Sequence, residues 1–217
     1  MSAKLADTRL NRRSFLTFSF AFAFNLAFGK NLSSKTRVES KGRTLFVYYT
    51  RTLNTHILIQ YMQSLIGGDL LRIHTTQAYP KDYQRCVALA SKQRIEGILP
   101  PLLPYSLDLT GYERIFIAAP LWGMDMCAPM KSFLSALNLD GKRVYLIITN
   151  AGFGLGASVK SAKNYVKNIA GILDYKFKDY EKIVPNLLAL NQRQIKANTA
   201  FNALDKAKIA DFIKPLL

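Results

Sequence analysis

The sequence predicts a doubly wound α/β domain, a five-stranded parallel sheet with helices on both faces. Three observations predict it. Short, uninterrupted apolar runs recur from Thr44 onward, as expected of strands buried on both faces. Between them lie longer segments whose apolar residues fall at helical spacing. The two kinds of segment alternate along the chain, which calls for parallel strands joined by crossover helices.

The elements follow in order. TLFVYY (44–49) is the first strand. Ile57, Leu58, Tyr61, Met62 and Leu65 form the apolar stripe of the first helix, which Gly67-Gly68 ends. DLLRIH (69–74) is a short second strand. A second helix runs from Tyr83 to Ile98 and is stopped by Gly97 and Pro100-Pro101. RIFIAAP (114–120) is the third strand, Pro129 to Leu137 the third helix, and RVYLIIT (143–149) the fourth strand, with a strong β-branched core. A helix is expected over Ser158 to Ile172, a weaker strand near Tyr175–Phe177, and a last helix from about Asn202 to Ile213.

Composition narrows the function classes. A chain of 217 residues, 49% hydrophobic, can bury one sizeable core and is short for two domains. At 20% charged residues the chain as a whole does not read as disordered. The net charge of +16 first suggests nucleic acid. Yet Lys and Arg are scattered, with no dense basic run and no nucleic-acid motif, so nucleic acid is not expected as a partner. A basic surface that meets an acidic partner protein or an anionic membrane face is preferred. Cys86 and Cys127 make no C-x-x-C pair, which argues against a thioredoxin-like or zinc site, and each is expected as a small buried residue. His56 and His74 are too few and too far apart to suggest a metal centre.

The amino terminus reads as an address. Arg9, Arg12 and Arg13 precede an uncharged, largely apolar run from Phe15 to Gly29, and Lys30 follows. That is the layout of a secretory signal, too short for the roughly 20 residues of a spanning helix. Asn11-Arg12-Arg13-Ser14-Phe15-Leu16 resembles the twin-arginine signal, whose machinery exports folded proteins. Residues 1–30 are therefore expected as a targeting segment, 31–43 as a linker and 44–217 as the folded domain. Ala21-Phe22-Ala23 has the form of a cleavage site but lies inside the apolar run. The protein is expected to be periplasmic or exported, and membrane-anchored if the signal is retained.

In open parallel sheets ligands bind beyond the carboxyl ends of the strands. That rule selects three loops. TRTLNT (50–55) joins a strand to a helix; its hydroxyl and amide side chains either hold an anion at the helix amino terminus or cap the helix. PLWGMDMCAPM (120–130) carries Trp122, the only Trp, which either stacks on a planar ligand or covers the edge of the core. TNAGFGLG (149–156) alternates Gly152, Gly154 and Gly156, allowing close backbone approach to a ligand or an ordinary flexible turn.

Taken together, VYYTRTLNT, AYPKDY, APLWG, PMKSFL and LDGKRVYLIITNAGFGLGASV resemble the flavodoxin-like family of FMN proteins, over about Thr44 to Ile172. The resemblance implies a flavodoxin-like fold and FMN as cofactor. It implies that Thr50, Arg51, Thr52, Asn54 and Thr55 hold the phosphate. Pro120, Leu121, Trp122 and Gly123 would line one side of the flavin ring, and Asn150, Gly152 and Gly154 the other. The chain departs from the family at Leu53, where the family has Gly, at Gly123-Met124, where it has an aromatic followed by Gly, and at Phe153, where it has a small polar residue.

A flavin would carry the chemistry, so no catalytic side chain is required. Asp125 is expected at the surface, and Cys127 is a remote candidate for a redox thiol. The implied function is an exported FMN oxidoreductase or electron carrier, using NAD(P)H, a quinone or an acidic redox protein as partner. The alternative is a flavin-free binding or scaffold domain with a degenerate site.

Overall fold

The computed structural model describes residues 43–177 and 204–217. The expected targeting segment, the expected linker up to residue 42, and residues 202 and 203 of the expected last helix lie outside them. The elements are β1 (Arg43–Tyr48), α1 (Asn54–Ile66), β2 (Asp69–Arg72), α2 (Tyr83–Glu96), β3 (Tyr112–Trp122), β4 (Asp125–Met126), α3 (Ala128–Ser135), β5 (Arg143–Asn150), α4 (Ser158–Lys163), β6 (Ile169–Lys176) and α5 (Lys206–Ile213).

Five strands form a parallel sheet in the order β2-β1-β3-β5-β6, and two-residue β4 pairs antiparallel with the end of β3. Side chains alternate across the pleat and build two cores. Leu45, Val47, Ile115, Ile117, Val144, Leu146 and Ile148 face one side with Cys86 of α2, Phe133 of α3 and Ala162 of α4. Phe46, Tyr48, Phe116, Ala118, Tyr145 and Ile147 face the other, packed by Ile57, Leu58 and Met62 of α1 and Ile209 and Ile213 of α5. Because β1, β3 and β5 are covered on both faces, their sequences are continuous apolar runs.

Three expectations are corrected. The helix expected over Ser158 to Ile172 ends at Lys163, and the strand expected near Tyr175 already starts at Ile169. Ile169-Ala-Gly-Ile-Leu is a short apolar run, which periodicity alone cannot divide between helix and strand. Gly171 tips it to strand: a Cβ there would lie 2.8 Å from Tyr145 Cδ1 on β5. Second, the segment after Pro120 is a hairpin, in which Trp122 opposes Asp125. Gly123 (φ 57°) and Met124 (φ 65°) make its two-residue turn with both residues left-handed, the twist that suits a tight hairpin. Third, the last helix starts at Lys206, where the Asp205 side chain caps it by accepting from Lys208 N at 3.1 Å.

Candidate functional site

The sheet fixes where a ligand can enter. β2 lies on one side of β1 and β3 on the other, so the winding reverses between β1 and β3 and their carboxyl ends open a crevice. It is a cleft of about 190 Å³. The segment after β1, the hairpin after Pro120 and the segment after β5 supply three of its sides, and α2 the fourth.

The first segment is polar yet enclosed. Thr50, Thr52, Asn54 and Thr55 are all buried. Leu53 precedes the helix in the left-handed conformation (φ 67°, ψ −3°), and no side chain among the described residues caps α1. Asn54 and Thr55 sit inside the first turn, so the capping alternative for this segment is not what forms. The N–H groups of that turn have no partners within the helix and open at the cleft. Thr55 Oγ1 is 2.8 Å from Thr149 Oγ1, which ties the segments after β1 and β5 together. Asn54 Oδ1 is buried without a partner among the described residues. Arg51, the one charged residue lining the cleft among the described residues, donates through Nη1 to the carbonyls of Pro80 and Lys81, each at 3.3 Å.

Pro120, Leu121, Trp122 and Gly123 line the next side. Trp122 is held edge-on by Tyr79 (centroids 4.8 Å apart) and Tyr49 (5.5 Å). Tyr79 in turn donates to Gln93 Oε1 at 2.5 Å. Burial holds both tyrosine hydroxyls protonated, well above the usual phenol range. The wall is therefore aromatic, neutral and fixed. Asp125, expected at the surface, is instead buried. It accepts from Lys131 Nζ (2.6 Å), Ser161 Oγ (2.8 Å) and Met126 N (2.7 Å), joining the hairpin to α3 and α4. Cys127 is fully packed, and burial pushes its thiol up to about 12, so it presents no thiolate for redox chemistry. Cys86 lines the cleft from α2, and burial raises its thiol as well.

After β5, Asn150 lines the cleft, but its amide is committed to shaping the loop. Its Nδ2 donates to Asp174 Oδ1 at 2.6 Å, and its Oδ1 accepts from Gly152 N at 2.7 Å. Gly152 and Gly154 do not line the cleft. A Cβ on Gly152 would meet Lys176 Cε at 3.1 Å, and one on Gly154 would meet Asp174 Oδ2 at 3.8 Å, so both open toward β6. The glycine that needs its missing Cβ most is Gly156. A Cβ there would lie 2.2 Å from Met124 O, which also accepts from Ala157 N at 2.8 Å. That contact locks the hairpin tip onto the loop. Phe153 reaches the cleft and stays 67% exposed, an aromatic edge in place of a small polar one.

Ten of the twelve residues expected at the site thus meet around one cleft. Sequence reasoning missed the α2 side: Tyr83, Cys86, Val87, Ala90 and Ser91. A signal for it exists. These positions share one helix face, are mostly small, and α2 buries only Cys86 and Gln93, so its inner face was left open for something else.

No protein-family model matches the chain, and no curated protein matches it. Solved structures do. A flavoprotein from Lactobacillus acidophilus, solved in complex with FMN, is similar at 21% identity and a TM-score of 0.56, over 61% of this chain and 92% of that one. A candidate flavoprotein from Bacteroides eggerthii is similar at 20% identity and a TM-score of 0.57, over 69% of this chain and 99% of that one. Five parallel strands in this order, with the crevice at the reversal between β1 and β3, give the chain a flavodoxin-like fold.

Proposed function

We propose that this chain binds FMN in the cleft and acts through it as an oxidoreductase or electron carrier. One observation carries the proposal: the uncapped first turn of α1 opens into a cleft floored by the buried side chains of Thr50, Thr52, Asn54 and Thr55. Free backbone N–H groups at the positive end of a helix suit a phosphate, and threonine hydroxyls add donors. The donor set fits: Asn54 Oδ1, buried and unpaired, is an acceptor available to a ligand hydroxyl. Trp122, backed by Tyr49 and Tyr79, offers a flat apolar wall for a planar ring. The Lactobacillus acidophilus protein of like fold was solved with FMN, which supports the same cofactor here.

Bound flavin would supply one- and two-electron transfer, and the protein would bind, orient and tune it. Among the described residues that line the cleft, Arg51 alone is charged, and its guanidinium is held by two backbone carbonyls. The flavin-free alternative draws on Leu53 and Met124, which replace the glycines of the family. Both hold the left-handed backbone that glycine would adopt. The substitutions therefore leave the loop geometry in place, which favours a working site. The choice among a nicotinamide donor, a quinone and a protein partner follows from turnover assays. Export in the folded state, to the periplasm or to a membrane-anchored position, belongs to the same proposal and rests on Asn11 to Leu16.

The test is a visible absorption spectrum of the full chain, purified without added cofactor, followed by titration with FMN. Flavin bands, or saturable uptake with quenched flavin fluorescence, are expected. A colourless protein that leaves FMN fluorescence unchanged would overturn the proposal and leave a scaffold domain.

A further inference from the structure

A second cavity, of about 130 Å³, lies behind the first. Trp122 and Ala90 line both, so the indole is the partition between them. Among the described residues its lining includes two cationic side chains, Arg94 from α2 and Lys131 from α3, and no carboxylate. Neither cation is fully used. Lys131 Nζ is mostly buried and carries three donors, of which Asp125 Oδ2 takes one at 2.6 Å. No other partner for it is found among the described residues. Arg94 has no ion pair or hydrogen bond among the described residues. Its side chain lies against the hairpin: a Cβ on Gly123 would come within 3.2 Å of Arg94 Nε. Around these groups the walls are apolar, and Ile98 and Leu99 form a lip that is 40% and 41% exposed.

A basic protein has many solvated cations, and most mean nothing. These two differ because they line one concave site, Lys131 mostly buried and paired with Asp125, Arg94 exposed beside it, with an aromatic partition behind. Asp125 satisfies one donor of the mostly buried Lys131 ammonium and leaves two, so a further acceptor is the group such a site favours. The volume is on the order of four waters, enough for a headgroup but not a large molecule.

We propose that this second cavity binds the anionic headgroup, a carboxylate or a phosphate, of a small organic ligand. Arg94 and Lys131 hold the anion, and the apolar remainder lies along Ile98 and Leu99. Occupation of the first cleft by FMN is not needed for this binding. If FMN does bind there, the anion site sits on the far side of the same indole.

Trp122 is the only tryptophan in the chain and lines the cavity, so its fluorescence reports binding directly. The full chain is titrated with benzoate and, separately, with inorganic phosphate, each with and without saturating FMN. A saturable change with at least one anion is expected, and which anion gives it separates a carboxylate from a phosphate ligand. Arg94→Gln should weaken that binding about tenfold, the loss of one charge-assisted contact. Lys167→Gln removes an equal charge from a solvent-exposed pair with Asp140 and should change nothing. No saturable change with either anion, or equal weakening in both variants, overturns the proposal. FMN uptake is read separately by flavin absorbance, so failure of one site does not mask the other.

Discussion

Leu53→Gly, compared with Leu53→Ala, tests whether the loop after β1 holds the shape a phosphate needs. Leu53 sits at φ 67° and ψ −3°, where a Cβ crowds the backbone. Holding a non-glycine residue there costs about 1–2 kcal/mol. The side chain is only half-buried, so removing it forfeits roughly 1 kcal/mol of apolar burial. Both variants lose that burial. Only glycine relieves the backbone. Glycine also gains freedom in the unfolded chain, about 0.5–1 kcal/mol against it. The ordering that results is unusual for a residue beside a helix: Leu53→Gly should stay close to the parent, and Leu53→Ala should fall below Leu53→Gly by about 1 kcal/mol. In a domain of this size that is roughly 2–4 °C in melting temperature. Urea and thermal unfolding followed by far-UV circular dichroism measure it. If Leu53→Ala proves as stable as Leu53→Gly, the left-handed turn is not held in solution, and the case for an intact loop fails with it.

Other outcomes follow from single contacts. Thr55→Val removes the 2.8 Å bond to Thr149 and leaves a buried hydroxyl unpaired, costing about 1–3 kcal/mol in urea unfolding; Thr55→Ser should recover most of it. Gly156→Ala brings a Cβ against Met124 O and strains a left-handed residue, so the hairpin must separate from the loop; FMN titration should show about tenfold weaker uptake or worse, and unchanged uptake would remove the lock from the site. The thiol of Cys127 is raised by burial from 9.0 to about 12. The unfolded chain therefore releases that proton first as pH rises. Its contribution is intact below pH 9.0 and is lost progressively toward about 12. Thiol labelling at pH 8 should accordingly spare Cys127 in the native protein and modify it in urea.

How far the sequence could be read depends on how many faces each element buries. β1, β3 and β5 are covered on both sides, so their apolar runs stand out, and expectation met structure within two residues at nearly every boundary. β6 sits at the sheet edge with an alternating, half-buried pattern, and that is where helix and strand were confused. The three cleft-facing segments were legible because strand order dictates where a crevice opens, whatever the side chains are. The α2 wall was not, because a helix that leaves its inner face open gives no hydrophobic stripe to detect. Asp125 was misplaced for a related reason: an acid in a turn-rich segment reads as solvated, and only the fold brings Lys131 and Ser161 to it.

The two glycine replacements bear most on function. Read as letters, Leu53 and Met124 argue that the site has decayed, since each puts a Cβ where the family avoids one. Read as backbone, they argue the reverse, because both residues remain left-handed despite the cost. A loop released from ligand binding is free to relax to an ordinary conformation and gain roughly 1 kcal/mol or more at each position. At Met124 the conformation is held by the hairpin register and by the bond from Ala157 N to Met124 O. At Leu53 the carbonyl accepts from Ile57 N at 3.0 Å and Thr55 is tied to Thr149 at 2.8 Å, so the left-handed turn starts α1 with its first N–H groups facing the cleft. The strain kept at Leu53 leaves free donors aimed at the cleft, which is the arrangement the proposed phosphate site requires.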